Sequence, residues 1–157
     1  MKHLFVLCLC LMHLFAEDVY LLPHRWQDAR HQLNGLISTA EHSVVIVSDT
    51  ISDFHLRRSL RRALEEGKSI LLITGSMSTA SQWAIYRTLD ACILPSRESL
   101  TFSLVGADEA RICTLGAPLD TDAMRSRSSM LYCSDAGAFS ETLRLLRQEC
   151  TPYFGKQ

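Results

Sequence analysis

The densest charge in this chain of 157 residues is a group of four arginines close together in sequence. They are Arg57, Arg58, Arg61 and Arg62. Helical spacing places them on one side of a predicted helix whose other side carries Leu56, Leu60 and Leu64. Guanidinium groups bind phosphate, so this arginine stripe is a candidate surface for nucleic acid or for anionic lipid. The alternative is an ordinary solvated helix face, because Glu65 and Glu66 follow directly and can pair with the arginines.

Four histidines are a second set of side chains that could do chemistry. They are His24, His31, His42 and His55. With Asp28 between them, His24 and His31 could share one face of a helix, and these donor types suit a metal or an acid–base pair. His55 follows a predicted strand at the start of a helix, where a catalytic imidazole could also stand. Exposed polar residues of amphipathic helices have the same pattern, so we predict no metal and no cofactor.

Composition excludes several classes of protein. Hydrophobic residues make up 47% of the chain and charged residues 21%, which does not fit a collagen-like, low-complexity or disordered sequence. The formal net charge of -1 argues against a protein whose whole surface binds nucleic acid. The length suits one domain with a substantial core.

The first sixteen residues have the pattern of a secretory signal peptide. Lys2 and His3 precede an apolar stretch from Leu4 to Phe15, and Ala16 follows. This stretch is shorter than the ~20 residues that a membrane-spanning helix needs. We therefore predict a signal peptide over 1–16 and an exported domain over 17–157, periplasmic or secreted. The alternative is that the segment is retained as an N-terminal membrane anchor.

Four cysteines remain after the predicted signal segment. They are Cys92, Cys113, Cys133 and Cys150. An exported chain can form disulfides, and four cysteines allow three pairings among which the sequence does not choose. They can also be small buried hydrophobic residues, and Cys150 continues an apolar helical series through Leu143 and Leu146.

Hydrophobic periodicity predicts alternating strands and helices in the first half and mainly short strands in the second. Strands are predicted over 18–22, 43–48, 69–74, 93–94, 100–105, 110–115 and 129–134. Helices are predicted over about 25–41, from Asp53 as N-cap to Gly67, from Ser78 to about Asp90, and over 136–150. The pattern favours a single α/β domain with a mixed, largely parallel sheet flanked by helices on both faces.

This order of elements resembles the single-domain, nuclease-type branch of the phospholipase D superfamily. The resemblance covers nearly all of 17–157 and is carried by a first strand ending at Pro23, the segment 43–53 (SVVIVSDTISD) and the segment 63–74 (ALEEGKSILLIT). The family's catalytic motif, His-x-Lys-x4-Asp, aligns with 101–108. Three motif positions are then Thr101, Ser103 and Asp108. A Gly-Ser turn and an Asn that follow in the family align with Gly116-Ala117 and with Leu119 or Asp120.

The resemblance implies a mechanism that these residues do not support. In the family, one histidine attacks phosphorus, and a second, from another motif or a dimer partner, protonates the leaving oxygen. The lysine pairs with the phosphate, and the aspartate orients the imidazole. Thr101 is a weak nucleophile without an adjacent base, and Ser103 carries no charge.

We therefore expect a non-catalytic binding or interaction module. The resemblance implies as its partner a second copy of the chain or an active relative. The alternative is a phosphodiesterase or nuclease that acts on nucleic acid or phospholipid through other residues, such as His55 or His24.

Overall fold

A computed structural model of the chain describes residues 18–95, 99–135 and 139–153. The strands are β1 (Asp18–Leu22), β2 (Ser43–Val47), β3 (Ser69–Thr74), β4 (Leu89–Ile93), β5 (Ser103–Ala107), β6 (Arg111–Leu115), β7 (Ser129–Asp135) and β8 (Thr151–Pro152). The helices are α1 (Trp26–Thr39), α2 (Phe54–Glu65), α3 (Met77–Trp83), α4 (Thr121–Ser126) and α5 (Phe139–Glu149). The predicted signal peptide, 1–16, lies outside the described residues.

Within the described residues the strands form one eight-stranded sheet in the order β1-β7-β6-β5-β2-β3-β4-β8. Only β2–β3 and β3–β4 pair in parallel, and the other five pairings are antiparallel. The prediction of a single α/β domain is confirmed, but that of a largely parallel sheet is wrong. The reason is topological, because β1 pairs with β7 at the far edge, and β5, β6 and β7 follow one another as antiparallel neighbours.

Helices cover both faces of the sheet, as predicted. On one face α1 and α2 bury Leu33, Ile37 and Leu60 against alternate residues of the central strands. On the other face Leu143 of α5 packs against Val45. Adjacent strand residues point to opposite faces, so strands covered on both sides read as continuous apolar runs. This pattern explains why β2 and β3 were recognisable in the sequence.

Several elements differ from their predicted bounds. The helix expected to reach Asp90 ends at Trp83, and Leu89–Ile93 instead forms β4 in register with β3. Pairing with β3 decides the conformation of this segment, because local sequence is a weak determinant where tertiary contacts are available. The short helix α4 and the strand β8 were not predicted. None of the described helices is long and apolar enough to cross a membrane.

Two disulfides settle which of the three cysteine pairings forms. Cys113 on β6 faces Cys133 on β7 in register, with 4.0 Å between their Cα atoms. Cys92 on β4 is joined to Cys150 after α5, with 5.6 Å between Cα atoms. Cys113, Cys133 and Cys92 are buried, so these side chains belong both to the core and to the disulfide bonds.

Candidate functional site

The upper edge of the sheet, where β2 and β3 end and β5 begins, gathers the polar loops of the domain. In open α/β sheets such an edge is where ligands usually bind. Here two hydroxyl groups meet below the surface: Ser48 after β2 and Ser103 at the start of β5 are fully buried, with their Oγ atoms 2.9 Å apart. Ser48 donates to the Thr50 carbonyl at 2.8 Å. Because Ser48 has one proton, Ser103 must donate to Ser48, and both protons are used within the protein.

Asp49 joins three loops at this edge. One carboxylate oxygen accepts hydrogen bonds from the Gly75 amide at 2.6 Å and the Thr74 hydroxyl at 3.2 Å. The other oxygen accepts from the Leu100 amide at 2.6 Å. A Cβ on residue 75 would lie 3.2 Å from Asp49 Oδ1, so glycine permits this close approach. Both carboxylate oxygens are therefore engaged in holding the loops together.

Two further aspartates at the upper edge act as helix caps. Asp53 is fully buried, accepts from the Leu56 amide at 2.9 Å as the predicted cap of α2, and also accepts from the Thr121 hydroxyl at 2.7 Å. Asp120 caps α4 through the Ala123 amide at 2.8 Å and accepts from the Ser52 hydroxyl. The hydrogen bond from Ser52 and then the Ala123 amide hold the pKa of Asp120 below its ordinary value.

Two charged residues, Asp108 and Lys68, lie at the opposite, lower edge of the sheet. Asp108 lies there in the β5–β6 turn, at the far end of β5 from Ser103. Partial burial raises the pKa of Asp108, but three backbone amide donors outweigh burial and keep that pKa below its ordinary value. Lys68, the only lysine among the described residues, is also at the lower edge, where it pairs with Glu66 at 3.0 Å.

Of the four histidines, His24 and His55 lie at the upper edge, but they follow β1 and β2, which end at separate parts of it. His24 precedes α1, is exposed, and follows β1, which is three strands from β5 in the sheet, or about 14 Å. His31 is exposed on α1, and His42 is exposed at the lower edge. His55 is exposed at the start of α2 and contacts the ring of Phe54. No group of His, Cys, Asp or Glu in the described ranges could hold a metal ion.

The arginine stripe lies along the solvent side of α2, as the helical spacing predicted. An open groove of about 730 Å³ runs beside it, and Phe54 also lines this groove. Arg62 pairs with Glu66 at 2.9 Å. No carboxylate in the described part of the chain pairs with the other three arginines, which are Arg57, Arg58 and Arg61. Like charges therefore occupy neighbouring positions on the helix. Their mutual repulsion is relieved when an anion binds between them.

Solved structures share this architecture across most of the chain. NucT from Helicobacter pylori superposes with a TM-score of 0.75 at 16% identity, covering 88% of this chain and 99% of that one. The phospholipase D family member Nuc from Salmonella typhimurium gives 0.70 at 15% identity, covering 88% and 98%. The chain has a phospholipase D-like fold. Phosphatidylserine synthase from Haemophilus influenzae also matches, at 0.64 and 16% identity, with 36% of that chain covered. No family model and no curated protein sequence matches.

Within the phospholipase D-like fold, the three aligned motif positions do not form one site. Thr101 is exposed just before β5, Ser103 is buried, and Asp108 is at the other end of the strand. Ser48 and Asp49 were not among the predicted site residues. Both directly follow a continuous apolar run, the signal that marks the polar edge of an α/β sheet.

Proposed function

We propose that this chain is a non-catalytic phospholipase D-like domain that binds anionic ligands through the arginine stripe. The observation that carries the proposal is the buried pair of hydroxyls at the upper edge. Ser103 stands where the family's lysine aligns, and its proton is used by Ser48, 2.9 Å away. Phosphoryl transfer needs positive charge at the phosphate oxygens and an activated nucleophile. At the described upper edge, the hydroxyls of Ser48 and Ser103 bond to each other, and the carboxylates of Asp49 and Asp53 hold backbone amides and threonine hydroxyls.

Hydrolysis assays test the lack of catalysis. Purified protein should leave a chromogenic phosphodiester, bis(p-nitrophenyl) phosphate, and plasmid DNA unchanged, with and without divalent metal. Turnover that co-purifies with the protein and is lost in His55→Ala or His24→Ala would support the alternative, a phosphodiesterase. The structural similarity to phosphatidylserine synthase, an enzyme, supports this alternative. At 16% identity the similarity concerns the fold.

Retention on phosphocellulose tests anion binding with a matched pair of variants. The double variant Arg57→Ala, Arg61→Ala should elute at lower salt than the parent. The double variant Arg87→Ala, Arg147→Ala removes the same charge from exposed arginines outside α2, and it should elute with the parent. Equal shifts in both variants would mean that net charge, not the stripe, controls retention.

Export and dimer formation are parts of the same proposal. The two disulfides support export, because such bonds persist in oxidising compartments. N-terminal sequencing of the protein from culture fluid or periplasm should begin at Glu17. The dimer with a second copy, implied by the family resemblance, is measured by sedimentation velocity.

A further inference from the structure

The surface of α2 combines an exposed aromatic ring with three arginines that pair with no carboxylate among the described residues. Phe54 is 69% exposed at the N-terminal end of the stripe and lines the same groove as the arginines. Arg57, Arg58 and Arg61 follow Phe54 by three, four and seven positions. All four side chains therefore lie on one side of the helix. Its ring packs edge-on against His55, with 5.5 Å between ring centroids, which restrains the ring without burying it.

The geometry points to single-stranded nucleic acid as the ligand of this surface, an inference that rests on the proposed anion-binding function. Arginines in a row bind successive phosphates, and an exposed aromatic ring stacks on an unpaired base. From Phe54 to Arg62 the helix rises about 12 Å, which matches about three nucleotides at 3.4 Å each. Stacking needs unpaired bases, so a duplex would use the arginines alone.

The same surface fits a membrane less well. A helix that lies in a lipid interface inserts a continuous apolar face. In α2 that face is buried in the domain core through Leu56, Leu60 and Leu64, and Phe54 is the exposed apolar side chain in the groove lining. One ring beside a row of arginines favours a flexible strand over a lipid bilayer.

Fluorescence anisotropy with a labelled twelve-residue oligothymidylate tests the inference. Three phosphate contacts predict a slope of log K against log salt of about -2, because each contact on a single strand contributes about 0.7. The double variant Arg57→Ala, Arg61→Ala should reduce the magnitude of this slope by about 1.4. The double variant Arg87→Ala, Arg147→Ala should leave the slope unchanged.

The ring is tested separately. Phe54→Ala should weaken binding about tenfold, the loss expected for one stacked base. Ile85→Ala removes another exposed apolar side chain, 76% exposed and outside the groove lining, and should have no effect. An abasic oligomer should bind the parent about as weakly as the thymidylate binds Phe54→Ala, and combining both changes should add little further loss. Circular dichroism confirms that each variant is folded.

Two results would overturn the inference. One is equal binding of the thymidylate by the parent and Phe54→Ala. The other is binding to vesicles containing phosphatidylglycerol without binding to the oligonucleotide, which leaves anion binding by the stripe intact. Mass spectrometry of the recovered oligonucleotide keeps the two proposals distinct. An intact, unbound oligonucleotide contradicts only the ligand assignment, and a cleaved one contradicts only the lack of catalysis.

Discussion

Asp108 is the residue that the sequence comparison aligned with the aspartate of the family's motif, and its contacts predict a structural role. Its carboxylate accepts hydrogen bonds from the amides of Glu41 at 2.6 Å and of His42 and Ser43 at 2.8 Å each. These bonds tie the β5–β6 turn to the loop between α1 and β2. The backbone of Asp108 is left-handed, with φ of 51°. The best test is therefore Asp108→Gly, which removes the carboxylate and tolerates this conformation.

The expected loss of stability follows from the three hydrogen bonds. A bond to a charged acceptor contributes about 1.5–3 kcal/mol when buried, but water can replace the carboxylate at the exposed Glu41 and His42. We expect about 2–3 kcal/mol in total for Asp108→Gly, which lowers Tm by about 5–10 °C for a domain of this size. Asp108→Ala should lose about 1 kcal/mol more, because a left-handed backbone disfavours a side chain with Cβ.

The effect should also depend on pH in a definite direction. The pKa of Asp108 is lower in the folded protein than the ordinary value of an aspartate. Its charged form therefore stabilises the fold above that ordinary value, and this contribution is lost as pH falls through the folded pKa. Asp108→Asn tolerates the same backbone but lacks the charge, so its deficit in urea unfolding should be full at pH 7 and shrink toward pH 3. A deficit that is absent at pH 7, or that grows in acid, would refute the reasoning.

Three further substitutions test the upper edge and the disulfides. Ser103→Lys should unfold at a lower temperature and restore no hydrolysis, because it places an ammonium group in a fully buried position. Differential scanning calorimetry measures the unfolding temperature, and the phosphodiester assay measures hydrolysis. Asp53→Ala should cost about 2–3 kcal/mol in urea unfolding by removing a helix cap and a buried acceptor, with less loss in Asp53→Asn. Cys92→Ser should cost about 4 kcal/mol and Cys113→Ser about 3 kcal/mol, because the disulfides span 58 and 20 residues, and thiol titration of the unfolded parent should find no free thiol among these pairs.

The sequence was most informative where local pattern and burial agree. The apolar runs of β2 and β3 and the amphipathic α2, capped by Asp53, were predicted close to their observed bounds. Prediction failed where distant pairing decides the outcome. The segment from Leu89 has apolar residues that suit a helix, yet pairing with β3 makes it a strand. The position of β1 beside β7 likewise depends on contacts more than 100 residues apart, which periodicity does not encode.

The candidate site was predictable only in part, for a similar reason. The arginine stripe depends on helical spacing, so it could be placed from sequence. The hydroxyl pair of Ser48 and Ser103 joins residues 55 positions apart, and it could be found only once β2 and β5 were known to be neighbours.

The two edges of the sheet also explain how Asp108 can remain in a chain whose other motif positions carry Thr101 and Ser103. A carboxylate that holds three backbone amides at the lower edge stabilises the fold whether or not the upper edge performs chemistry. If the domain is non-catalytic, as proposed, the upper edge has no such constraint. A charged lysine at position 103 would need a phosphate or a carboxylate partner. A buried serine that bonds to Ser48 fills the position with a smaller desolvation penalty than a lysine without a partner. Asp108 therefore has a role in the fold that does not depend on whether the domain is catalytic.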